Sequence, residues 1–497
     1  MNRSLFIQQL ETSKEFDICI IGGGATGLGT ALDAASRGLK TILFEQYDFA
    51  KGTSSRSTKL VHGGVRYLQQ GNIKLVMEAL KERGLLLRNA PHLVHNQKFV
   101  VPNYKWWEKP FYGIGLKIYD KMAGKLGLGP SQFLSKEETL QMAPTLDQED
   151  LKGGVLYHDG QFDDARLAIS IAQTAAQLGG VLLNYFPVTG LLKKQKKVCG
   201  VWVKDCFTGK DYEVKSKTVI NASGVFTDAV MKMDDVKHKN IISPSQGIHL
   251  VVDKEFLPGD VAIMIPRTDD GRVLFAVPWH DKIVLGTTDT PVDTILSEPV
   301  PLQEEIDFVL KHIGRYLTKD PQLSDVRSMF AGLRPLVKGK AKKTAALARD
   351  HLITLGDSGL ITITGGKWTT YRKMAEDVVD IALKHAGLAG NPCITNDHRL
   401  NGHDKPVAPA EITSLKKDEL KAAIKKSVQD EMCMTVEDFL SRRTRQLLLD
   451  AAVAKEKAPE VATIMSEELN KDENWIKEQI NNFNEVARNY KPQTKNL

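Results

Sequence analysis

The chain has 497 residues, a length that predicts two or three domains. Apolar residues form 42% and charged residues 26% of it, which excludes wholesale disorder and a fibrous chain. The net charge of +6 is too small over this length to indicate a nucleic-acid partner. The five cysteines include no CxxC pair, so we expect no disulfide framework and no metal site.

The apolar stretches are short. None of them approaches the ~18 uninterrupted apolar residues that a spanning helix needs. The N-terminal segment contains acidic residues instead of a sustained apolar run, which is not typical of a secretory signal. The short apolar stretches predict, at most, a peripheral membrane contact. The cysteines, which form no disulfide framework, predict a reducing compartment.

The first predicted strand, FDICII, leads directly into a glycine-rich turn. Gly22, Gly24 and Gly27 form a GxGxxG pattern there, and a helix-forming run follows. Glycine lets the backbone approach a pyrophosphate, and the unpaired N–H groups at the helix start favour an anion. The next strand, TILFE, ends at Glu45, which can accept hydrogen bonds from an unphosphorylated ribose. This arrangement predicts a dinucleotide site, and at this point it leaves FAD and NAD both open.

A polar segment, TSSRSTKLVHGGVRYL (residues 53–68), follows the second strand. Hydroxyl groups that can hold a phosphate or a polar ring edge come from Ser54, Ser55, Ser57 and Thr58. Cationic and aromatic side chains surround two adjacent glycines; they are Lys59, His62, Arg66 and Tyr67. An ordinary polar loop is the alternative, but such a loop does not need so many donors, so the segment favours a binding function.

Residues 105–127 mix aromatic side chains with five lysines and only two acids. That composition is typical of a helix lying in the headgroup region of a bilayer. Packing of the same apolar residues against the protein core is the alternative, and the pattern alone does not separate the two.

The chain changes character along its length. Strands and helices alternate up to about residue 238, which predicts a Rossmann-like α/β domain, and the short strands from about 240 to 335 predict an inserted mixed or antiparallel sheet. Only Gly402 of the 39 glycines lies beyond residue 390, where helix-forming runs predict a C-terminal helical domain. The expected boundaries are 15–90, 155–238 and 337–390 for the first domain, 91–154 and 239–336 for the second, and 395–497 for the third.

Five motifs together resemble one family. They are GGGATGLGTALDAASRG, TSSRSTKLVHGGVRYL, NASG, GLRP and GGKWTTYRKMAE, and they resemble the respiratory, FAD-dependent glycerol-3-phosphate dehydrogenases over almost the whole chain. The resemblance implies FAD as cofactor, with the first domain binding FAD and the second binding substrate. The cofactor contacts that it implies are Gly22, Gly24, Gly27, Glu45, Thr53, Ser54, Ser55, Lys59, Leu60, His62, Gly63, Ala222, Gly224, Gly365, Gly366, Lys367 and Thr369.

The last of these motifs also has a meaning of its own. TITGG leads into a helical run, and so offers a second helix N-terminus for the anionic side of a reduced flavin. A capped helix is the alternative, but two glycines, a lysine and two threonines exceed what a cap requires.

A phosphate monoester as substrate needs several cationic donors. The resemblance implies that these donors and their neighbours are Arg66, Tyr67, Arg334, Arg349 and Lys367. We expect hydride transfer from C2 of sn-glycerol 3-phosphate to flavin N5, giving dihydroxyacetone phosphate. His249 is the expected base for the C2 hydroxyl proton, and Arg334 or Lys367 is expected to stabilise the developing oxyanion. A histidine in a strand such as GIHLVV is also commonly structural.

The bacterial members of the family imply an acceptor and a location. They predict electron transfer to ubiquinone or menaquinone by a cytoplasmic protein held on the inner face of the cell membrane, through residues 105–127. A soluble glycerol-3-phosphate oxidase that reduces O₂ to H₂O₂ would carry much the same motifs. An amine or amino-acid oxidase of the same superfamily, or a flavin-binding redox sensor, is a more distant alternative.

The C-terminal region resembles the helical cap of the family. Its arginines are expected to form a homodimer or partner surface, or else a solvated face. No D-x-[DN]-x-[DN]-G loop occurs there, so we expect no calcium control.

Overall fold

The computed structural model describes residues 1–65, 68, 71–266, 268–338, 351–404 and 410–492. Their fold combines two β-sheets, the helices packed on them, and a C-terminal helical domain, which confirms the predicted fold class. The helices are α1 (Arg3–Thr12), α2 (Ala25–Ser36), α3 (Ile73–Asn89), α4 (Glu108–Ala123), α5 (Lys136–Met142), α6 (Asp164–Gln177), α7 (Thr227–Asp234), α8 (Gln303–Gly314), α9 (Tyr371–Ala386), α10 (Lys417–Glu431), α11 (Val436–Asp438), α12 (Gln446–Leu449), α13 (Ala451–Leu469) and α14 (Glu473–Arg488).

The first sheet is mainly parallel. Its strands are β1 (Phe16–Ile21), β2 (Thr41–Phe44), β7 (Val181–Leu183), β8 (Val188–Lys194), β9 (Lys197–Lys204), β10 (Asp211–Asn221), β17 (His351–Leu355) and β18 (Ile361–Gly365). They run in the order β17-β18-β10-β1-β2-β7, with β9 and β8 continuing from the outer part of β10. Because β1 lies between β10 and β2 and is covered on both faces, its sequence is an almost continuous apolar run.

The second sheet is mostly antiparallel. Its strands are β3 (Leu60–Val61), β4 (Val94–Asn103), β5 (Gln132–Leu134), β6 (Gly153–Phe162), β11 (Ile242–Asp253), β12 (Val261–Ile265), β13 (Leu274–Trp279), β14 (Lys282–Gly286), β15 (Thr290–Pro291) and β16 (Val326–Val337). They run in the order β15-β11-β14-β13-β12-β4-β6-β3, with β16 on β11 and β5 on β6. The β4–β12 pair is parallel, so the sheet is mixed as predicted.

The helix that follows the glycine turn is held tightly. Helix α2 packs between α6 and α9. A Cβ atom at Gly29 would lie 2.7 Å from the Tyr371 ring of α9, so a glycine is needed where these helices approach each other. The main apolar core lies around this helix layer and the first sheet.

Two strands do not follow the expected boundaries. Strand β6 pairs with β4 along its whole length, from Val94 opposite Phe162 to Asn103 opposite Gly153. Strand β6 therefore belongs to the second sheet, and so does the short strand β3, which pairs with it. The expected boundaries place β3 and residues 155–162 of β6 in the first domain instead. The division of the chain into domains otherwise stays a prediction.

The C-terminal helices form a core of their own, which includes Phe330 and Trp279 of the second sheet. The arginines of the sequence SRRTR were expected on a partner surface or a solvated face, and this was wrong. Arg442, Arg443 and Arg445 are buried inside the chain, where acidic groups lie beside them. Within the described ranges, no helix is long and apolar enough to cross a bilayer.

Candidate functional site

Two adjoining cavities lie between the sheets. The glycine-loop cavity, of about 270 Å³, is bordered by the turn after β1, by Glu45 and by the segment that begins at Ala222. The histidine cavity, of about 310 Å³, is bordered by His249 and Arg334. Both cavities share a wall formed by Thr53, Pro335, Gly365, Gly366, Lys367 and Trp368. The shared wall makes them two halves of one elongated site.

The glycine turn forms a cradle that larger residues would fill. Gly22 has φ +109°, and a Cβ on it would lie 2.7 Å from the carbonyl oxygen of Ala222. A Cβ on Gly27 would lie 1.9 Å from the carbonyl oxygen of Gly22, so Gly27 is required by packing and does not border the cavity. Gly24 is the N-cap of α2 without a side-chain cap, so the helix start faces an anion site.

Glu45 directly follows β2 and lies beside this turn. Its Oε2 accepts a hydrogen bond from the Gly23 N–H at 2.6 Å, and its Oε1 accepts one from the Tyr47 N–H at 2.9 Å. Burial raises the pKa of this carboxyl group, while these two hydrogen bonds oppose the rise. Each oxygen keeps a second lone pair, so the group can still accept hydrogen bonds from ribose hydroxyls.

The polar segment after β2 divides into lining and supporting residues. Thr53 and Ser54 border the glycine-loop cavity, and Leu60 and His62 border the histidine cavity. Ser54 Oγ accepts the Ala25 N–H at 2.9 Å, and so fixes the segment to the start of α2. Because Ser54 caps the first turn of α2 from outside that helix, the sequence pattern alone did not reveal this contact.

Lys59 is one of the supporting residues. Its ammonium group is fully buried, lies 2.8 Å from Asp164 Oδ1 and donates to the Ser55 carbonyl oxygen at 2.8 Å. Neither Lys59 nor Ser55 borders a cavity. Gly63 does not border one either; a Cβ there would lie 2.5 Å from Leu80 and from Tyr119.

The corner after β18 closes the site. Gly365 and Gly366 have φ +78° and +72°, a backbone that L-residues avoid. Trp368 Nε1 donates to the Ser54 carbonyl oxygen at 2.8 Å, and Thr369 Oγ1 accepts the His62 N–H at 3.2 Å. These bonds connect the corner to the polar segment. Thr369 itself borders neither cavity. Ala222 and Gly224, which the resemblance implies as cofactor contacts, border the glycine-loop cavity.

His249 lies in β11, with 3% of its surface exposed. Its Nε2 is 2.8 Å from Thr58 Oγ1, and its ring stacks on Phe330 with centroids 4.9 Å apart. Nδ1 is buried without a hydrogen-bond partner among the described residues. Burial, together with the positive charges of Lys59 and Arg334, lowers its pKa well below the ordinary value. The imidazole is therefore neutral near pH 7 and able to accept a proton.

Arg334 lies in β16, and its guanidinium is held by the neighbouring backbone and hydroxyls. Its Nη2 donates to Thr288 O at 2.9 Å and to Thr287 Oγ1 at 3.1 Å. Its Nη1 donates to Gln246 O at 3.3 Å and lies 3.5 Å from Asp289 Oδ1. A fork fixed in this way at a cavity wall suits the recognition of an oxyanion.

Two further arginines border the histidine cavity and were not singled out from the sequence. Arg56 donates to Ser297 O at 2.9 Å, and Arg272 Nε lies 2.6 Å from Asp270 Oδ2. Arg56 lies inside the polar segment, which was a usable signal, whereas nothing in the sequence distinguished Arg272 from other arginines. The expected substrate residues Arg66, Tyr67 and Arg349 lie outside the described residues.

One side of the histidine cavity is apolar. Its lining residues there are Phe99, Tyr112, Tyr157, Met264 and Phe275. Tyr112 belongs to α4, whose outer face exposes Phe111, Ile114 and Ile118. One side of this helix therefore packs on the core, as the second interpretation of residues 105–127 expected, while its outer side is exposed and the membrane interpretation stays a prediction. No group of three His, Cys, Asp or Glu side chains that could hold a metal occurs in the described part of the chain.

Comparisons with known proteins agree with this geometry. A family model described as FAD dependent oxidoreductase matches residues 17–372, and one described as the C-terminal domain of alpha-glycerophosphate oxidase matches residues 393–476. The mitochondrial glycerol-3-phosphate dehydrogenase of Mus musculus is 40% identical, over 100% of this chain and 77% of its own. The enzyme of the same name from Homo sapiens is 40% identical, over 98% of this chain and 75% of its own.

Two solved structures are similar. The glycerol-3-phosphate dehydrogenase from Bacillus halodurans, complexed with FAD, is 30% identical with a TM-score of 0.81, and the match covers 99% of each chain. The L-alpha-glycerophosphate oxidase from Mycoplasma pneumoniae is 18% identical with a TM-score of 0.60, over 78% of this chain and 98% of that one. At that identity the second match shows the fold alone.

Proposed function

Since the chain belongs to the FAD-dependent glycerol-3-phosphate dehydrogenases, we propose that the glycine-loop cavity holds the adenosine half of FAD and the histidine cavity holds the isoalloxazine ring with the substrate. The enzyme oxidises glycerol 3-phosphate with FAD. The observation that carries this assignment is that Gly365–Trp368 line both cavities. The cavities are therefore adjacent, as they must be if one FAD molecule extends from the first into the second.

The residues of the glycine-loop cavity fit FAD. The Gly22 and Gly27 positions leave no room for side chains, so the backbone can approach a pyrophosphate. Ser54 Oγ accepts the Ala25 N–H, and the other N–H groups at the start of α2 favour the phosphate charges, while Glu45 suits a ribose without a 2′-phosphate. When bound, FAD supplies the acceptor for the two electrons removed from C2 of the substrate.

His249 is proposed as the base for the C2 hydroxyl proton. Burial in the first place, and then the positive charges of Lys59 and Arg334, lower its pKa and keep it neutral in the free protein. A substrate phosphate near Arg334 partly cancels this positive charge, which raises the pKa of the imidazole when the base is needed. Thr58 Oγ1 can donate a hydrogen bond to an unprotonated Nε2 or accept one from a protonated Nε2–H, so it keeps the ring in place in both states.

Arg334 and Lys367 are proposed to bind the phosphate and to stabilise the oxyanion that develops at C2. Both border the histidine cavity, and Lys367 also borders the glycine-loop cavity. Arg66, Tyr67 and Arg349 remain proposed substrate contacts on the resemblance alone. The remaining residues that the resemblance implies are proposed cofactor contacts. Five of them do not border a cavity and would act by supporting the residues that do: Lys59, Ser55, Gly63, Gly27 and Thr369.

The electron acceptor is proposed to be a membrane quinone. Trp106 is 83% exposed, and it precedes a helix face carrying exposed Phe111 and Ile114 among exposed lysines. The opposite side of that helix contributes Tyr112 to the histidine cavity. A peripheral contact with the inner face of the cell membrane would thus bring an apolar acceptor close to the site.

A charge-reversed variant tests this contact. Lys117 and Lys121 are exposed on α4 and Lys125 is exposed just after it, and changing all three to Glu should abolish sedimentation with anionic liposomes at low salt. The matched control changes the exposed Lys417, Lys421 and Lys425 of α10 to Glu and should sediment like the wild type. Wild-type protein that ignores such liposomes would contradict the membrane proposal.

An oxidase that uses O₂ is the second candidate, because the C-terminal family model is described by such an enzyme. Anaerobic addition of sn-glycerol 3-phosphate should bleach the flavin band near ~450 nm. Rapid reoxidation by a quinone analogue, with slow reoxidation by O₂, supports the dehydrogenase; fast H₂O₂ formation supports the oxidase. Absence of bleaching would contradict the substrate assignment.

A further inference from the structure

The loop that follows Glu45 is anchored in the C-terminal domain. Asp48 in this loop is fully buried, and two adjacent arginines bind its carboxylate. Arg442 Nε lies 2.6 Å from Oδ2, while Arg443 Nη1 lies 2.6 Å from Oδ2 and Nη2 lies 2.8 Å from Oδ1. Although burial acts in the opposite direction, these arginines lower the pKa of Asp48 to about 2. The carboxylate is therefore charged and multiply bonded.

A second ion pair links the same two regions. Lys51 borders the glycine-loop cavity, and its Nζ lies 2.7 Å from Oε2 of Glu437, which lies in α11 just before the arginine turn Phe439–Arg443. Glu437 Oε1 in turn accepts from Arg442 Nη1 at 3.0 Å. One compact cluster of the C-terminal domain thus holds the loop at two points, Asp48 and Lys51.

The other side of the loop supports the glycine turn. The Ala50 N–H donates to Gly23 O at 2.9 Å, and the Tyr47 N–H donates to Glu45 Oε1 at 2.9 Å. Ala50 has φ +62°, a conformation that is unfavourable for a residue with a Cβ and persists only when its surroundings hold it. The arginines hold Asp48, two residues before Ala50, from a domain that contributes no residue to either cavity within the described ranges.

We propose that the C-terminal domain retains FAD by clamping the loop 45–54, with Arg442 and Arg443 as positioning residues. The proposal rests on the assignment of the glycine-loop cavity to FAD. Because binding at linked sites is reciprocal, FAD must also stabilise the docking of the arginine turn Phe439–Arg443. If Arg443 is replaced by Lys, the buried Asp48 carboxylate keeps its charge and its bond to Arg442. This replacement should therefore preserve the fold.

The test compares release of FAD from two variants. Arg443→Lys should release FAD about 10-fold faster than the wild type, measured by the rise in free-flavin fluorescence at 25 °C. Ser328→Ala is the control, since Ser328 Oγ donates to Leu447 O at 2.8 Å and joins the same domain to β16, away from the loop. The control should release FAD at the wild-type rate even if its melting temperature falls as far as that of Arg443→Lys.

Hydrogen exchange on the unmutated protein supplies a second readout. Adding FAD to apoprotein should slow amide exchange in Phe439–Arg443 more than in α14, which belongs to the same domain but, in the described part of the chain, forms no hydrogen bond or ion pair with the loop 45–54. Equal FAD release from Arg443→Lys and wild type, or equal protection of both segments, overturns the clamp. Purified protein that carries no FAD would instead overturn the proposed function.

Discussion

The two halves of the site are assembled in different ways. The glycine-loop cavity draws about half of its lining from residues 21–26 and 44–54, one strand–turn–helix–strand unit, and is completed mainly by residues 222–233 and 365–368. The histidine cavity takes its lining from both sheets, with residues as far apart as Thr53 and Trp368. The first half takes about half of its lining from one local unit with generic chemistry, while the second is assembled by tertiary structure and is proposed to carry the reaction. Changes in the first should therefore alter cofactor affinity, and changes in the second should alter turnover.

The largest effect is expected at the proposed base. His249→Asn should slow the reduction of flavin by glycerol 3-phosphate about 10²–10⁴-fold, since general base catalysis by a positioned group is worth that much. The FAD content should stay at the wild-type level, because His249 belongs to the histidine half only. Anaerobic stopped-flow absorbance measures the rate. An unchanged rate would remove His249 from the mechanism.

Cofactor affinity should respond to the glycine turn. Gly27→Ala places a Cβ 1.9 Å from the carbonyl oxygen of Gly22, and the displaced turn should weaken FAD binding about 100-fold or more. The control is Gly115→Ala in α4, where a Cβ meets nothing within 4 Å. Fluorescence titration of apoprotein with FAD gives both dissociation constants.

A variant without steric overlap covers the case in which Gly27→Ala does not fold. Glu45→Gln replaces one of the two oxygens that accept the Gly23 and Tyr47 N–H groups, and should weaken FAD binding about 10-fold. Wild-type affinity in both Gly27→Ala and Glu45→Gln would break the comparison between the halves.

Substrate affinity should depend on the guanidinium fork. Arg334→Lys loses the planar donor pair and should raise the KM for glycerol 3-phosphate about 10-fold while FAD binding is unchanged. The control is Arg327→Lys. Arg327 lies on the same strand, has 46% of its side chain exposed and pairs with Asp253, so this change should leave KM unchanged. Equal KM values for the two variants would show that Arg334 does not contact the phosphate.

The smallest effect concerns pH. Burial lowers the pKa of His280, in the β13–β14 turn, to about 4, against an ordinary value near 6.5 in the unfolded chain. Between these values only the unfolded chain binds the proton, so the free energy of unfolding should fall as the pH drops from about 6.5 to about 4. Denaturant titrations of wild type and His280→Gln should show a shallower dependence in the variant. Parallel curves would exclude His280 as a source of acid sensitivity.

The sequence predicted the local half well because its signals are local. A strand, three glycines, a helix and a terminal acid lie within about 30 residues of one another, and the structure brings Gly22, Gly24 and Glu45 to one cavity. Motif membership did not separate lining from support. Lys59 lies in the same motif as Leu60 and His62, yet its side chain is buried against Asp164, about a hundred residues away in sequence.

The C-terminal arginines show why other features escaped prediction. A run such as SRRTR looks solvated in sequence, and the group that buries it, Asp48, lies 394 residues before Arg442. No periodicity or spacing rule connects residues at that separation. The same holds for Thr58 beside His249 and for Arg272 at the histidine cavity, which only the second sheet brings into place.

One paired measurement tests the account most directly. On Glu45→Gln and His249→Asn, the FAD dissociation constant and the anaerobic rate of flavin reduction at saturating FAD and glycerol 3-phosphate are determined on the same preparations. The account predicts that Glu45→Gln changes mainly the dissociation constant and His249→Asn changes mainly the rate. Proportional changes of both quantities in both variants would contradict a division between a cofactor-holding half and a reacting half.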